Sequence, residues 1–150
     1  LEHHARKWHF AFNVKRLKDS EQLVQSHYDL ADEEYIFTNS VIGSAGYESM
    51  LQPMVETLDS LQRSGLRVIQ NVFIEGTNIL DMAQIIANAA EIHIPCSGLA
   101  WLAEYLRVRG YSRPDQKRYV YPRDRLNPIN DNWNYMQQCW DESEWTFVQP

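Results

Sequence analysis

A chain of 150 residues carrying a net charge of −6 is one domain by size, and it is long enough to bury a real core. Its 44% hydrophobic and 23% charged residues fall in the ordinary globular range and argue against disorder, while the negative balance argues against a nucleic-acid backbone as the main partner. The short basic runs at Arg6-Lys7, Lys15 to Lys18 and Arg107 to Arg109 leave room for a small patch at most. Two cysteines, Cys96 and Cys139, are too few for a disulfide framework and point to a reducing compartment, the cytoplasm. No apolar run approaches a membrane span, and no charged-then-apolar leader opens the chain. Leu1-Glu2-His3-His4 looks like appended sequence and is left out of any metal count.

In chain order, Trp8, Phe10, Phe12 and Val14 alternate with polar or small residues, a period of two that predicts a half-buried strand. Ser20 precedes a helical stretch with Leu23, Val24, His27 and Tyr28 on one side, ending near Leu30. The acidic group Asp29, Asp32, Glu33 and Glu34 lacks the regular spacing and turn glycine of a calcium loop, and reads as a solvated turn. Tyr35 to Thr38 is a strand feeding a loop that holds Gly43, Ser44, Gly46 and Tyr47. Glycines there permit close backbone approach, and loops of this kind before helices can cradle phosphate; no lysine stands in the Walker position. Ser49 to Gln52 matches a capping box, and Leu51, Met54, Val55, Leu58 and Leu61 form an apolar helical stripe that stops at Ser64-Gly65.

The stretch from Leu66 to Gly110 reads strand, helix, strand, helix. Val68, Ile69, Val72, Phe73 and Ile74 suit a buried strand. In the helix that follows, Asp81, Gln84, Asn88 and Glu91 form the polar stripe, leaving Ile79, Met82, Ala83, Ile86 and Ala90 for the interior. Ile92 and Ile94 flank His93 in a short strand ended by Pro95. Ser97 is placed to cap the next helix, whose Leu99, Leu102, Ala103 and Leu106 share one face and whose end is marked by Gly110. Two successive βα units with short joins predict a parallel sheet, whose ligand edge is built from the loops leaving the strands' carboxyl ends. Here these are Glu75 to Asn78 and Pro95 to Gly98. A last strand around Arg118 to Tyr121 is closed by Pro122. Residues 123–150 then form an extension with Trp133, Tyr135, Trp140, Trp145 and Phe147, too aromatic to be a loose tail; a short helix near Asn132 to Cys139 and a closing extended segment are expected to dock on the body.

Little in this pattern is specific for chemistry. Cys96 at a helix start has no arginine a few residues on, as a phosphatase-type loop would require, and fits a small residue filling a tight turn. His9, His27 and His93 show no ligand spacing, so neither metal nor cofactor is expected. Ser44 and Ser97 form no nucleophile elbow with them. Glu75, at a strand end, and Glu104, in the helix after Ser97-Gly98, are the best-placed carboxylates for a nucleophile or general base; Glu104 reads equally well as the solvent side of an amphipathic helix.

The element order from Tyr35 to Tyr121, the glycine-bearing first loop, the long helix ending at Gly65 and the segment Ser97-Gly98-Leu99-Ala100-Trp101 together resemble the nucleoside 2-deoxyribosyltransferase family and its nucleotide N-glycosidase relatives. The resemblance implies a small doubly wound sheet that binds a nucleoside or nucleotide, with a glutamate after the serine-glycine segment forming a covalent glycosyl intermediate. The chain departs from that pattern: the glutamate would fall near Trp101 or Leu102, Glu104 stands further along, and Cys96 replaces an aspartate usual before the serine-glycine pair.

The expectation is a single α/β domain with a mainly parallel four- to five-stranded sheet, helices on both faces and an aromatic-rich C-terminal extension. It binds a small nucleoside- or phosphate-containing ligand through Ser44, Gly46, Tyr47, Gly76, Asn78, Cys96, Ser97, Gly98 and Trp101, with Glu75 or Glu104 acting if an N-glycosidic bond is cleaved or transferred. The alternative is an acidic protein-binding module of inhibitor or immunity type, anchored by the C-terminal aromatics; a homo-oligomer also stays open.

Overall fold

A five-stranded sheet, parallel throughout, orders the chain; from one edge to the other its strands are Arg67–Gln70, Tyr35–Thr38, Glu91–Pro95, Lys117–Tyr121 and Thr146–Phe147. The structure, a computed structural model, describes residues 22–24, 26–30, 33–39, 52–63, 65–72, 74–122 and 131–149, with backbone alone at 52–55 and 58. The elements are β1 (Tyr35–Thr38), α1 (Gln52–Arg63), β2 (Arg67–Gln70), a 3-10 turn (Ile79–Met82) running into α2 (Ala83–Asn88), β3 (Glu91–Pro95), α3 (Gly98–Val108), β4 (Lys117–Tyr121), α4 (Asp131–Cys139) and β5 (Thr146–Phe147). Residues 22–24 and 26–28 are also helical, and Tyr28 ties them to the end of β2 by donating to the Gln70 carbonyl at 3.1 Å and accepting the Val72 amide at 3.1 Å. The predicted strand from Trp8 to Val14, and the Leu58 side chain in the predicted stripe, lie outside the described residues. No helix among the described residues is long and apolar enough to cross a membrane.

Alternation along the strands gives the sheet two unlike faces. Phe37, Ile69, Ile92, Ile94 and Val120 point one way and pack with Met82, Ala83, Ile85 and Ile86 of the 3-10 turn and α2, with Leu99, Ala103 and Leu106 of α3, and with Trp133 and Met136 of α4. The other face carries Ile36, Thr38, His93, Tyr119 and Tyr121, and a hydrogen bond between Thr57 and the Tyr121 hydroxyl brings α1 against it. Helices on both faces follow from right-handed crossovers combined with the reversal of strand order at β1.

Three local readings are corrected. The run Leu66 to Ile74 is not one long strand. After Gln70 the Asn71 amide still donates to the Thr38 carbonyl at 2.8 Å, and the chain then enters a turn in which Thr77 donates to Ile74 and Gly76 has φ +82°. The following helix is split because Asn78 and Asp81 form a reciprocal capping box: the Asn78 side chain accepts from the Leu80 amide, and Asp81 accepts the Asn78 amide at 2.6 Å. This buries Asp81, expected on the polar stripe, and leaves Ile79, expected inside, 44% exposed.

The described part of the extension, residues 131–149, packs on the sheet and α3. Trp133, Trp140 and Trp145 are buried, and Val148 donates to the Val120 carbonyl at 2.9 Å beside β5. Arg118, buried on β4, reaches Glu144 at 2.9 Å. A chain of edge-on and tilted ring contacts links Trp101, Trp140, Trp145, Phe147 and Trp133 across α3, α4 and β5.

Candidate functional site

Strand order reverses between β1 and β3, so the chain leaves these neighbours in opposite directions at their carboxyl ends, the place where open parallel sheets take ligands. Asn39 follows β1, and its amide donates to the His93 carbonyl at 3.1 Å. Asn71 follows β2, one place beyond the Thr38–Gln70 pair, and donates its side-chain amide to Asn39 Oδ1 at 3.1 Å. The Asn71 Oδ1 atom is buried with no hydrogen-bond partner. After β3, the Cys96 amide bonds to the Tyr121 carbonyl at 2.8 Å, which fixes the turn into α3.

Ser97 holds the N-cap position of α3 in extended backbone (φ −155°, ψ 177°), and its carbonyl accepts from Ala100 and Trp101. Its hydroxyl does not cap, contrary to expectation: it is buried and has no partner. The first turn of this 11-residue helix carries no acidic side chain, so the positive end of its dipole is unopposed from within the helix. A Cβ placed on Gly98 would sit 3.0 Å from Ile79 Cδ1, so the loops after β2 and β3 meet at this edge.

The expected site residues divide accordingly. Ser44, Gly46 and Tyr47 lie outside the described residues. Ser97 and Gly98 stand at the carboxyl end of β3, and Cys96, just before them, is buried and in no disulfide. Gly76 makes the turn and Asn78 uses its side chain as a cap, so neither offers a free polar group beyond backbone. Glu75 is exposed beside Gly76. Trp101 packs into the aromatic cluster, 5.1 Å from Trp140 and 5.8 Å from Tyr135. Glu104 is buried, and both its oxygens are engaged: Arg107 donates at 2.7 and 2.9 Å and Trp145 Nε1 at 2.8 Å. That carboxylate fastens the extension to α3, whereas a nucleophile needs a free oxygen facing its substrate.

Sequence reasoning passed over Asn39 and Asn71. The signal was present, since the two neighbouring strand runs Tyr35-Ile36-Phe37-Thr38 and Arg67-Val68-Ile69-Gln70 pair in register and each is followed by an asparagine. It also passed over His93. Burial holds this imidazole below its ordinary value, against the opposing pull of Glu91 at 3.4 Å. Among the described residues, no three His, Cys, Asp or Glu side chains group as metal ligands. No protein-family model matches the chain, and no curated protein matches it.

Proposed function

We propose that the chain binds a small nucleoside- or phosphate-containing ligand in the crevice between β1 and β3. The observation that carries this reading is the buried, unpartnered Ser97 hydroxyl at the amino end of α3, at the point where strand order reverses. Leaving such a group unpaired costs about 1–3 kcal/mol, which a ligand atom recovers on binding. The helix end adds roughly half a positive charge and free amides, suited to a phosphate or another electron-rich oxygen. Asn39 and Asn71 add uncharged donors and acceptors of the kind that sugar hydroxyls match. If the ligand is also cleaved at its N-glycosidic bond, Glu75 is the exposed carboxylate at this edge for the role of nucleophile or base. The alternative, docking through the C-terminal tryptophans, is not favoured by a fold that buries Trp133, Trp140 and Trp145.

The test is a thermal-shift series with nucleosides, nucleoside monophosphates and inorganic phosphate. A ligand at about a hundred times its Kd stabilises the native state by about 2.7 kcal/mol, a rise of roughly 5–10 °C at this chain length. Ser97→Ala removes that unpaired hydroxyl, so it should raise the unliganded melt by a few degrees and reduce the ligand-induced shift. The reading fails if no probe raises the melting temperature, or if Ser97→Ala keeps the full shift. Release of free base by the wild type and its loss in Glu75→Gln would add catalysis to binding.

A further inference from the structure

One face of the sheet carries most of the core, and the other carries a set of polar groups that are linked. The His93 ring is buried and stacks on Tyr119, with centroids 4.4 Å apart and planes 8° from parallel. Its Nδ1 lies 2.9 Å from Tyr121 Oη and its Nε2 lies 3.4 Å from Glu91 Oε2. Lys117 Nζ donates to the other Glu91 oxygen at 2.7 Å, and the Tyr121 hydroxyl is hydrogen-bonded to Thr57 of α1. A continuous chain of groups therefore runs from an exposed lysine on β4, across β3, to the helix covering this face.

With the ring neutral, one tautomer satisfies every link. Nε2–H donates to Glu91, Nδ1 accepts from the Tyr121 hydroxyl, and the phenol oxygen is left to accept from Thr57. A proton on Nδ1 turns that nitrogen into a donor, and the Tyr121 proton must then turn away toward Thr57. The charged ring also needs water or a free counter-charge. Among the described residues, the groups facing it are Glu91 from β3, already shared with Lys117, Lys117 itself with Tyr119 and Tyr121 from β4, Thr38 from β1, and Thr57 from α1. Glu56 and Asp59 of α1 are exposed. The strands around His93 are fixed by their ladders, so α1 is the layer able to give way. We propose that His93, Tyr121 and Thr57 form an acid-released latch: protonation of His93 loosens α1 from the sheet while β3 and β4 stay paired. Because α1 follows the loop leaving β1, its release opens the crevice edge, which makes the latch a control on access whatever ligand binds there.

Amide exchange of the full chain, corrected for intrinsic rates, tests this between about pH 7.5 and pH 5, the range in which histidine titrates. Protection of α1 should fall about tenfold or more across that range while β3 and β4 keep theirs, one tenfold step corresponding to one pH unit of a single linked proton. His93→Phe retains a ring to stack on Tyr119 and should remove the pH dependence. Tyr121→Phe should lower α1 protection at pH 7.5 toward the level that the wild type shows at pH 5, with little further loss at pH 5. Constant α1 protection in the wild type, or an equal fall in His93→Phe, overturns the latch. Ring-proton titration of His93 in the wild type provides a check that needs no variant: a midpoint below the ordinary histidine value supports the latch, and one at or above it overturns it.

Discussion

Replacing Glu104 with glutamine separates two meanings of one carboxylate. The change keeps the shape and leaves one acceptor oxygen where two oxygens now receive three hydrogen bonds, from Trp145 at 2.8 Å and from Arg107 at 2.7 and 2.9 Å. Bonds to charged groups are worth about 1.5–3 kcal/mol each, and an unpaired buried donor loses its full desolvation energy. The Arg107 side chain is 21% exposed, so water takes over part of its share, whereas the Trp145 indole is buried and has no such recourse. Glu104→Gln should therefore cost about 2–3 kcal/mol, seen as a melting temperature lower by roughly 5–10 °C at this chain length. Trp145→Phe removes the donor and leaves the Glu104–Arg107 pair intact; in the double variant the two losses should fall short of additive by about 1 kcal/mol. Denaturant melts followed by circular dichroism and by tryptophan emission measure all of these. A loss below about 0.5 kcal/mol, within ordinary surface variation, would refute a structural role. Full stability with lost nucleoside turnover would return Glu104 to the catalytic role.

Four further outcomes are expected. Ile86 is fully buried under the sheet, and Ile86→Ala should cost about 2–5 kcal/mol in denaturant melts. The Cβ that Gly98→Leu adds meets the movable, exposed end of Ile79, so the fold should lose roughly 1 kcal/mol or less while ligand-induced thermal shifts disappear. His93 is held below its ordinary value near 6.5 by burial, so the unfolded chain takes up the proton first; stability is complete above that value and declines as pH falls below it, and His93→Phe should flatten the decline. Amides of residues 133–145 should exchange slowly, since Trp133, Trp140 and Trp145 are buried; fast exchange throughout would contradict docking of the extension.

Periodicity located most of the architecture because it reports which faces are apolar. Ile92 and Ile94 about His93, or Leu99, Leu102, Ala103 and Leu106, suffice to place β3 and α3. It misjudged Asp81 and Ile79 because a capping box is a local hydrogen-bond solution that overrides a face assignment, and nothing in a hydropathy pattern separates a capping aspartate from a solvated one. The site was legible as an edge but not as chemistry. Ser97 was visible as a cap, yet whether its hydroxyl bonds the helix depends on a side-chain rotation that sequence does not encode. Glu104 could not be told from a free carboxylate because its partner Trp145 lies 41 residues away. His93 looked like the minor residue of an isoleucine pair, since its meaning comes from Tyr119 and Tyr121 on the neighbouring strand.

Trp133, Met136, Trp140 and Trp145 complete the hydrophobic core, and all of them follow β4 in the chain. During synthesis the segment from Tyr35 to Tyr121 is therefore finished before its own covering layer exists. Val120, the outer side of α3 and the Glu104 carboxylate wait uncovered until residues 131–147 have been made. That interval is when neighbouring chains could pair with the open flank of β4, and β5 is only two residues long, too short to compete through backbone bonding alone. The indole of Trp145, seated on Glu104, gives this late strand its register from side-chain contacts. A variant with a weakened anchor should thus lose yield of native protein through aggregation during expression, by more than its equilibrium stability accounts for.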